Sequence, residues 1–167
     1  HEILAKKGDW PFHLGITEAG TAKTGVIKSS LGIGGLLLEG LGDTIRVSLS
    51  GDRKEEIAAC WEILKSLKLR EKGLTVVSCP TCARTKIPVA EIAEYVQSLS
   101  DKFGPEPIKI AVMGCVVNGL GEAKEADLAF VGVENNKASF FENGKFVCNV
   151  APEKLKAFVK KIINSKI

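Results

Sequence analysis

No long hydrophobic run is present. The longest uncharged apolar stretch, Ser29 to Leu38, spans about ten residues with three glycines among them, too short for a bilayer span or a signal sequence. Net charge is also low, +3, with lysines scattered along the chain rather than gathered in a stripe, so nucleic acid is not implied. Dense cysteine patterning is missing: the five cysteines, two of them in one C-x-x-C, suit a reducing compartment better than a secreted disulfide scaffold. There are no internal repeats, no low-complexity linkers and no G-x-G-x-x-G. The glycines around Ile33 lie in a helical context that favours close packing over nucleotide binding. The first residue is His1, not an initiator Met, so a piece of a longer protein is expected. These absences leave a cytoplasmic globular chain with neither a membrane nor a nucleic-acid partner. With 45% apolar residues over 167, it can bury one good core or two small ones.

What is present divides into two textures. His1 to Gly8 reads as the tail of a helix, and Pro11 to Thr17 alternates Phe12, Leu14 and Ile16 against His13, Gly15 and Thr17, a strand that ends at Glu18. A helix over Thr24 to Glu39, closed by Gly40, leads to a second alternating strand over Asp43 to Ser50. Ile45, Val47 and Leu49 take one face of that strand, and Thr44, Arg46 and Ser48 the other. Asp52 caps a third helix that carries Ile57, Trp61 and Leu64 and is expected to run to Lys72-Gly73. The order β-α-β-α implies parallel strands, and two such units are too few to close a domain.

From Leu74 the spacing changes. Strands are expected at Leu74 to Ser78 and Ile108 to Met113, ending at Cys79 and near Cys115. Between them a helix opened by Pro88 aligns Val89, Ile92, Val96, Leu99 and Phe103 on one stripe. Further strands are expected at Leu128 to Val133, Ala138 to Phe141 and Lys145 to Cys148, the last two joined by a hairpin at Glu142-Asn143-Gly144. Pro152 starts a terminal helix with Leu155, Phe158, Val159 and Ile162 facing inward. The expected division is 1–70 and 71–167.

The chemistry concentrates in S-C-P-T-C-A-R, Ser78 to Arg84, and M-G-C-V-V-N-G-L-G-E-A, Met113 to Ala123. A C-x-x-C turn stiffened by Pro80 lets two thiolates converge on one metal, with Arg84 and Lys86 nearby to offset their charge. Cys115 follows the next strand, so two strand ends deliver three sulfurs. Cys148, Glu122 or an exogenous ligand can complete the site. Cys148 on a strand reads more simply as a small buried residue, as does Cys60 on a helix. Glu122 lies in what reads as a glycine-lined loop. If Cys148 is the fourth ligand, the module is a structural zinc site without catalysis.

The same two motifs, together with H-L-G-I-T-E-A-G (13 to 20), I-K-S-S-L-G-I-G (27 to 34) and E-G-L-G-D-T-I-R-V-S-L (39 to 49), resemble the 4-hydroxy-3-methylbut-2-enyl diphosphate synthases, iron-sulfur enzymes of the non-mevalonate isoprenoid pathway. The likeness runs from about Pro11 to the C-terminus. Ala83 stands where glycine is common and Leu120 where proline is common, and neither alters a ligand type. The resemblance implies the last two β-α units of a (β/α)8 TIM barrel followed by a small α/β iron-sulfur domain of the sulfite-reductase type. It implies a [4Fe-4S] cluster on Cys79, Cys82, Cys115 and Glu122, whose single oxygen ligand leaves one iron exchangeable. Asn118 is implied beside the cluster, and Glu18 as an acid positioning a substrate hydroxyl. Lys28, Ser29, Thr44 and Arg46 are implied as substrate-binding residues where barrel strands end. The implied reaction is the two-electron reductive ring opening and dehydration of 2-C-methyl-D-erythritol 2,4-cyclodiphosphate, fed by ferredoxin or flavodoxin, in a homodimeric oxidoreductase. A chain without most of the barrel is not expected to turn over alone.

Overall fold

The computed structural model describes residues 1–167, which divide into two units, His1–Glu71 and Lys72–Ile167. In the first, a short helix α1 (Glu2–Ala5) precedes strand β1 (His13–Gly15), helix α2 (Ala22–Leu38), strand β2 (Thr44–Arg46) and helix α3 (Arg53–Ser66). The two strands pair in parallel, with His13 opposite Thr44, Leu14 opposite Ile45 and Gly15 opposite Arg46. Both strands are shorter than their alternating patterns, because each has only one neighbour to hydrogen-bond. Leu14, Ile33, Val47, Ala59 and Ile63 form a small core where α2 and α3 pack. Asp52 caps α3 as expected, accepting from the Lys54 N–H at 2.9 Å. The helix stops at Ser66 rather than at Lys72, since Lys68 takes a left-handed conformation (φ 56°) that turns the chain out. Its inward residues are Ala59 and Ile63, while Ile57 is exposed.

The second unit holds five strands, β3 (Leu74–Ser78), β4 (Ile108–Met113), β5 (Leu128–Gly132), β6 (Ala138–Glu142) and β7 (Lys145–Val150), hydrogen-bonded in that order. The first three are parallel; β6 and β7 run antiparallel as a hairpin. Asn143 (φ 50°) and Gly144 (φ 74°) make its turn, the backbone that the Asn-Gly pair signals. Helices α4 (Val89–Gln97) and α6 (Pro152–Asn164) cover one face around Phe130, Phe140 and Ile110. Helix α4 ends earlier than its stripe suggests: a 3-10 turn at Ser100–Lys102 carries the chain on, and Leu99 and Phe103 still pack against the same core.

The main departure from the sequence reading is α5 (Val116–Glu125), a helix where a glycine-lined loop was expected. Gly119 and Gly121 obscure its periodicity, yet Gly119 and Ala123, four apart, are both buried on one side of it. This helix packs on the opposite face of the sheet, over Ala111, Met113, Ala129 and Val131. The β3-α4-β4 and β4-α5-β5 connections step in the same direction across the sheet but cover opposite faces. They therefore have opposite hands, and one departs from the right-handed rule. The chain therefore leaves the ends of neighbouring strands β3 and β4 toward opposite faces of the sheet.

Candidate functional site

Cys79 follows β3 and Cys115 caps α5 two residues beyond β4. The peptide of Gly114 ties them together. Its N–H donates to Cys79 Sγ at 3.1 Å, and its carbonyl accepts from the Lys86 N–H at 2.8 Å, so the loop 79–86 that carries the C-x-x-C is pinned at both ends to one residue. This needs two glycines. A Cβ on Gly132 of β5 would overlap the Gly114 carbonyl, and one on Gly114 would lie 2.9 Å from Thr85 Oγ1. Thr85 closes the turn itself, accepting from the Cys82 N–H at 3.1 Å and donating its own N–H to the Cys82 carbonyl at 3.0 Å.

The Cys82 thiol is exposed and held below the ordinary thiol range. The Arg84 backbone N–H is the main cause; the Thr85 hydroxyl and the Arg84 charge add to it, and desolvation works against them. A sulfur poised toward thiolate is what a soft-metal ligand requires.

Glu122 stands seven residues after Cys115. On a helix that spacing returns to within about 20° of the same face, about 10 Å along the axis. Cys115 itself is the extended N-cap residue (φ −155°, ψ 170°), so the spacing sets Glu122 about two turns along α5 from it. The carboxylate is engaged elsewhere in this structure, 3.6 Å from the Lys109 ammonium, which sits equally far from Glu125. No three histidine, cysteine or carboxylate side chains are drawn together tightly enough to hold one ion as folded. The donor set nonetheless suits an iron-sulfur group in kind: three thiols just beyond two adjacent strands, one already accepting a backbone N–H, and a carboxylate on the helix that follows Cys115. Asn118, in the first turn of α5, is exposed.

Cys148 is excluded from this constellation by the strand order. It lies on β7, four strands from β3, which at about 4.8 Å per strand puts it about 19 Å away, where it packs against the core. The four-cysteine zinc site therefore does not form. Cys60 packs against the core of the first unit.

In the first unit, the register places His13, Gly15, Thr44 and Arg46 on one face of the strand pair, opposite Leu14 and Ile45. Thr44 Oγ1 lies 2.8 Å from His13 Nδ1. The Arg46 guanidinium extends over Gly15, whose missing Cβ leaves it room: Nε and Nη2 would each be 3.3 Å from such an atom. Beyond the strand ends, Glu18 lines a cleft of about 370 Å³ with Thr17, Gly20, Ser48, Leu49 and Ser50. Lys28 is exposed on the second turn of α2. Ser29 departs from its expected role, since it is completely buried with no partner for Oγ and so does not meet a ligand from solvent.

Sequence reading overlooked Thr85, Gly132 and Lys109. Thr85 was visible as a hydroxyl three residues after Cys82, a turn-closing spacing, and Gly132 as an isolated glycine in a strand. Lys109 carried no signal, because its partner lies across a strand-to-helix crossover.

Comparison with known families follows this division. A model of the GcpE TIM-barrel domain matches residues 1–61, and one of the GcpE protein C-terminal domain matches residues 75–165. A protein of Sulfurihydrogenibium sp. (strain YO3AOP1) named 4-hydroxy-3-methylbut-2-en-1-yl diphosphate synthase (flavodoxin) is 46% identical over 98% of this chain and 45% of its own length. Proteins of the same name from Ruminiclostridium cellulolyticum and Caldanaerobacter subterraneus are 48% and 49% identical over 92% and 93% of the chain, each aligned over 43% of its own length. The chain thus spans less than half the length of these curated relatives.

Proposed function

This chain belongs to the GcpE family, and on that premise we propose that its parent protein is an oxidoreductase of isoprenoid biosynthesis, with a [4Fe-4S] cluster held by Cys79, Cys82, Cys115 and Glu122. The reaction is the reductive ring opening and dehydration of 2-C-methyl-D-erythritol 2,4-cyclodiphosphate to 4-hydroxy-3-methylbut-2-enyl diphosphate. The observation that supports the metal assignment is the Gly114 backbone, whose N–H meets Cys79 Sγ and whose carbonyl holds Lys86 at the far end of the loop that carries the C-x-x-C.

The chemistry balances with two electrons. A carbon–oxygen bond to the cyclic diphosphate breaks, the neighbouring hydroxyl leaves as water with a proton, and the electron pair becomes the new carbon–carbon double bond. When bound, the cluster supplies electrons singly and a Lewis-acidic iron at its carboxylate corner. The protein residues bind and orient. Arg46 offers a forked guanidinium to the diphosphate, with Thr44 and Lys28 as further donors. Glu18, in the cleft beyond the strands, orients a substrate hydroxyl, and Asn118 donates from the first turn of α5 toward substrate or Glu122. Flavodoxin, carried in the relatives' names, or ferredoxin supplies the electrons. No helix is long and apolar enough to cross a membrane. The reading includes a cytoplasmic homodimer and a sulfite-reductase type of cluster domain.

Two measurements test it. The chain purified without oxygen and reconstituted with iron and sulfide is expected to turn brown, hold about four irons and show a cubane signal by electron paramagnetic resonance after reduction. A colourless chain with one zinc sinks the cluster assignment. The complete parent protein, given the cyclic diphosphate and reduced flavodoxin, is expected to release the linear diphosphate; inertness of a cluster-loaded protein rejects the reaction.

A further inference from the structure

Lys109 is a half-buried cation at a fixed place. Its backbone N–H donates to Asp127 Oδ2 at 2.7 Å and its carbonyl accepts the Asp127 N–H at 2.9 Å, so its base is clamped between β4 and β5. Its ammonium lies 3.6 Å from Glu122 Oε2 and 3.6 Å from Glu125 Oε2. The two carboxylates differ in setting: the Glu122 side chain is 37% exposed and that of Glu125 is 76% exposed. A carboxylate that is not bound to metal gains modestly from a cation beside it. Lys109 is the cation within reach.

Resting on the metal assignment above, we infer that Lys109 is a positioning residue for Glu122. It receives the carboxylate when that group leaves the metal, so that the fourth corner opens without stranding a charge. Glu125 competes for the same ammonium and moderates the exchange.

The test uses the full 167-residue chain, reconstituted without oxygen and then treated with ferricyanide and EDTA, while the three-iron product is followed by electron paramagnetic resonance. Lys109→Met removes the alternative partner, so the carboxylate stays on iron and loss of the fourth iron slows about two- to fivefold. Glu125→Gln leaves Lys109 to Glu122 alone and speeds that loss by up to about the same factor. Lys109→Arg keeps the cation and stays near the wild-type rate. A merely structural lysine would not move the first two variants in opposite directions. Should Lys109→Met fail to fold by circular dichroism, Glu125→Gln decides, and an unchanged or slower rate there overturns the inference. Identical rates in all cluster-loaded variants overturn it alone, whereas a wild-type chain that assembles no cluster overturns the metal assignment and this inference together.

Discussion

The two units solve the burial problem differently. Residues 72–167 wrap a five-stranded sheet on both faces, and Ile110, Val112, Phe130 and Ile163 are fully enclosed. Residues 1–71 hold only two three-residue strands, one polar strand face lies open, and α2 exposes Ile27, Leu31 and Leu38. A two-stranded sheet is marginal by itself, while a sheet covered on both sides carries its own core. The difference separates the two kinds of candidate residue: Cys79, Cys82 and Cys115 stand on the closed unit, and the polar face with Thr44 and Arg46 stands on the open one.

That contrast can be broken by mutation, beginning with the largest effect. Phe130→Ala in the closed unit is expected to cost about 3–5 kcal/mol, read as lost amide protection across β4 and β5 in hydrogen exchange. Leu14→Ala in the open unit should cost only about 2 kcal/mol, because a layer open on one side can collapse around the gap. Both tryptophans, Trp10 and Trp61, lie in the first unit, so fluorescence in urea reports that loss alone. Equal costs at the two positions would mean that the open unit is as tightly packed as the closed one.

Gly132→Ala sharpens the comparison inside the closed unit. Forcing a methyl against the Gly114 carbonyl is expected to cost about 1–3 kcal/mol and to lower iron content after reconstitution, since the peptide that meets Cys79 must move. Leu31→Lys on the exposed side of α2 should shift stability by no more than about 0.5 kcal/mol, and a larger loss would reveal a packing role for that face.

The smallest effect concerns Cys82. Its thiol titrates below the ordinary range, so in the metal-free chain alkylation by iodoacetamide should set in at lower pH at Cys82 than at an unperturbed thiol. Thr85→Ala removes the hydroxyl contact, one of the lowering causes, and should move that onset upward, as mapped by mass spectrometry. No movement would assign the shift to the Arg84 and Thr85 backbone N–H groups and the Arg84 charge, without the hydroxyl.

Much of this was legible from residue order. Period-two alternation located β1 and β2, Asp52 announced its helix, and Asn143-Gly144 announced the hairpin, because each signal acts over a few bonds. The loop expected at 116–125 proved helical, since two glycines weaken the local signal for a helix that is held by Gly119 and Ala123 against the sheet. The burial of Ser29 was equally hidden: which side of α2 faces inward depends on the strands it covers, and its mixed glycine, serine and aliphatic residues do not declare one.

By itself the sequence determined where the thiols lie along the chain: a C-x-x-C turn stiffened by Pro80 where one strand stops, and Cys115 just beyond the next. Local covalent spacing is enough for that. Only the tertiary structure decided that Gly114 joins the two cysteine segments, that Cys148 sits at the far edge of the sheet, and that Glu122 rests on Lys109. Those facts depend on strand order and on which face each crossover takes, and both are fixed by contacts between residues far apart in the chain.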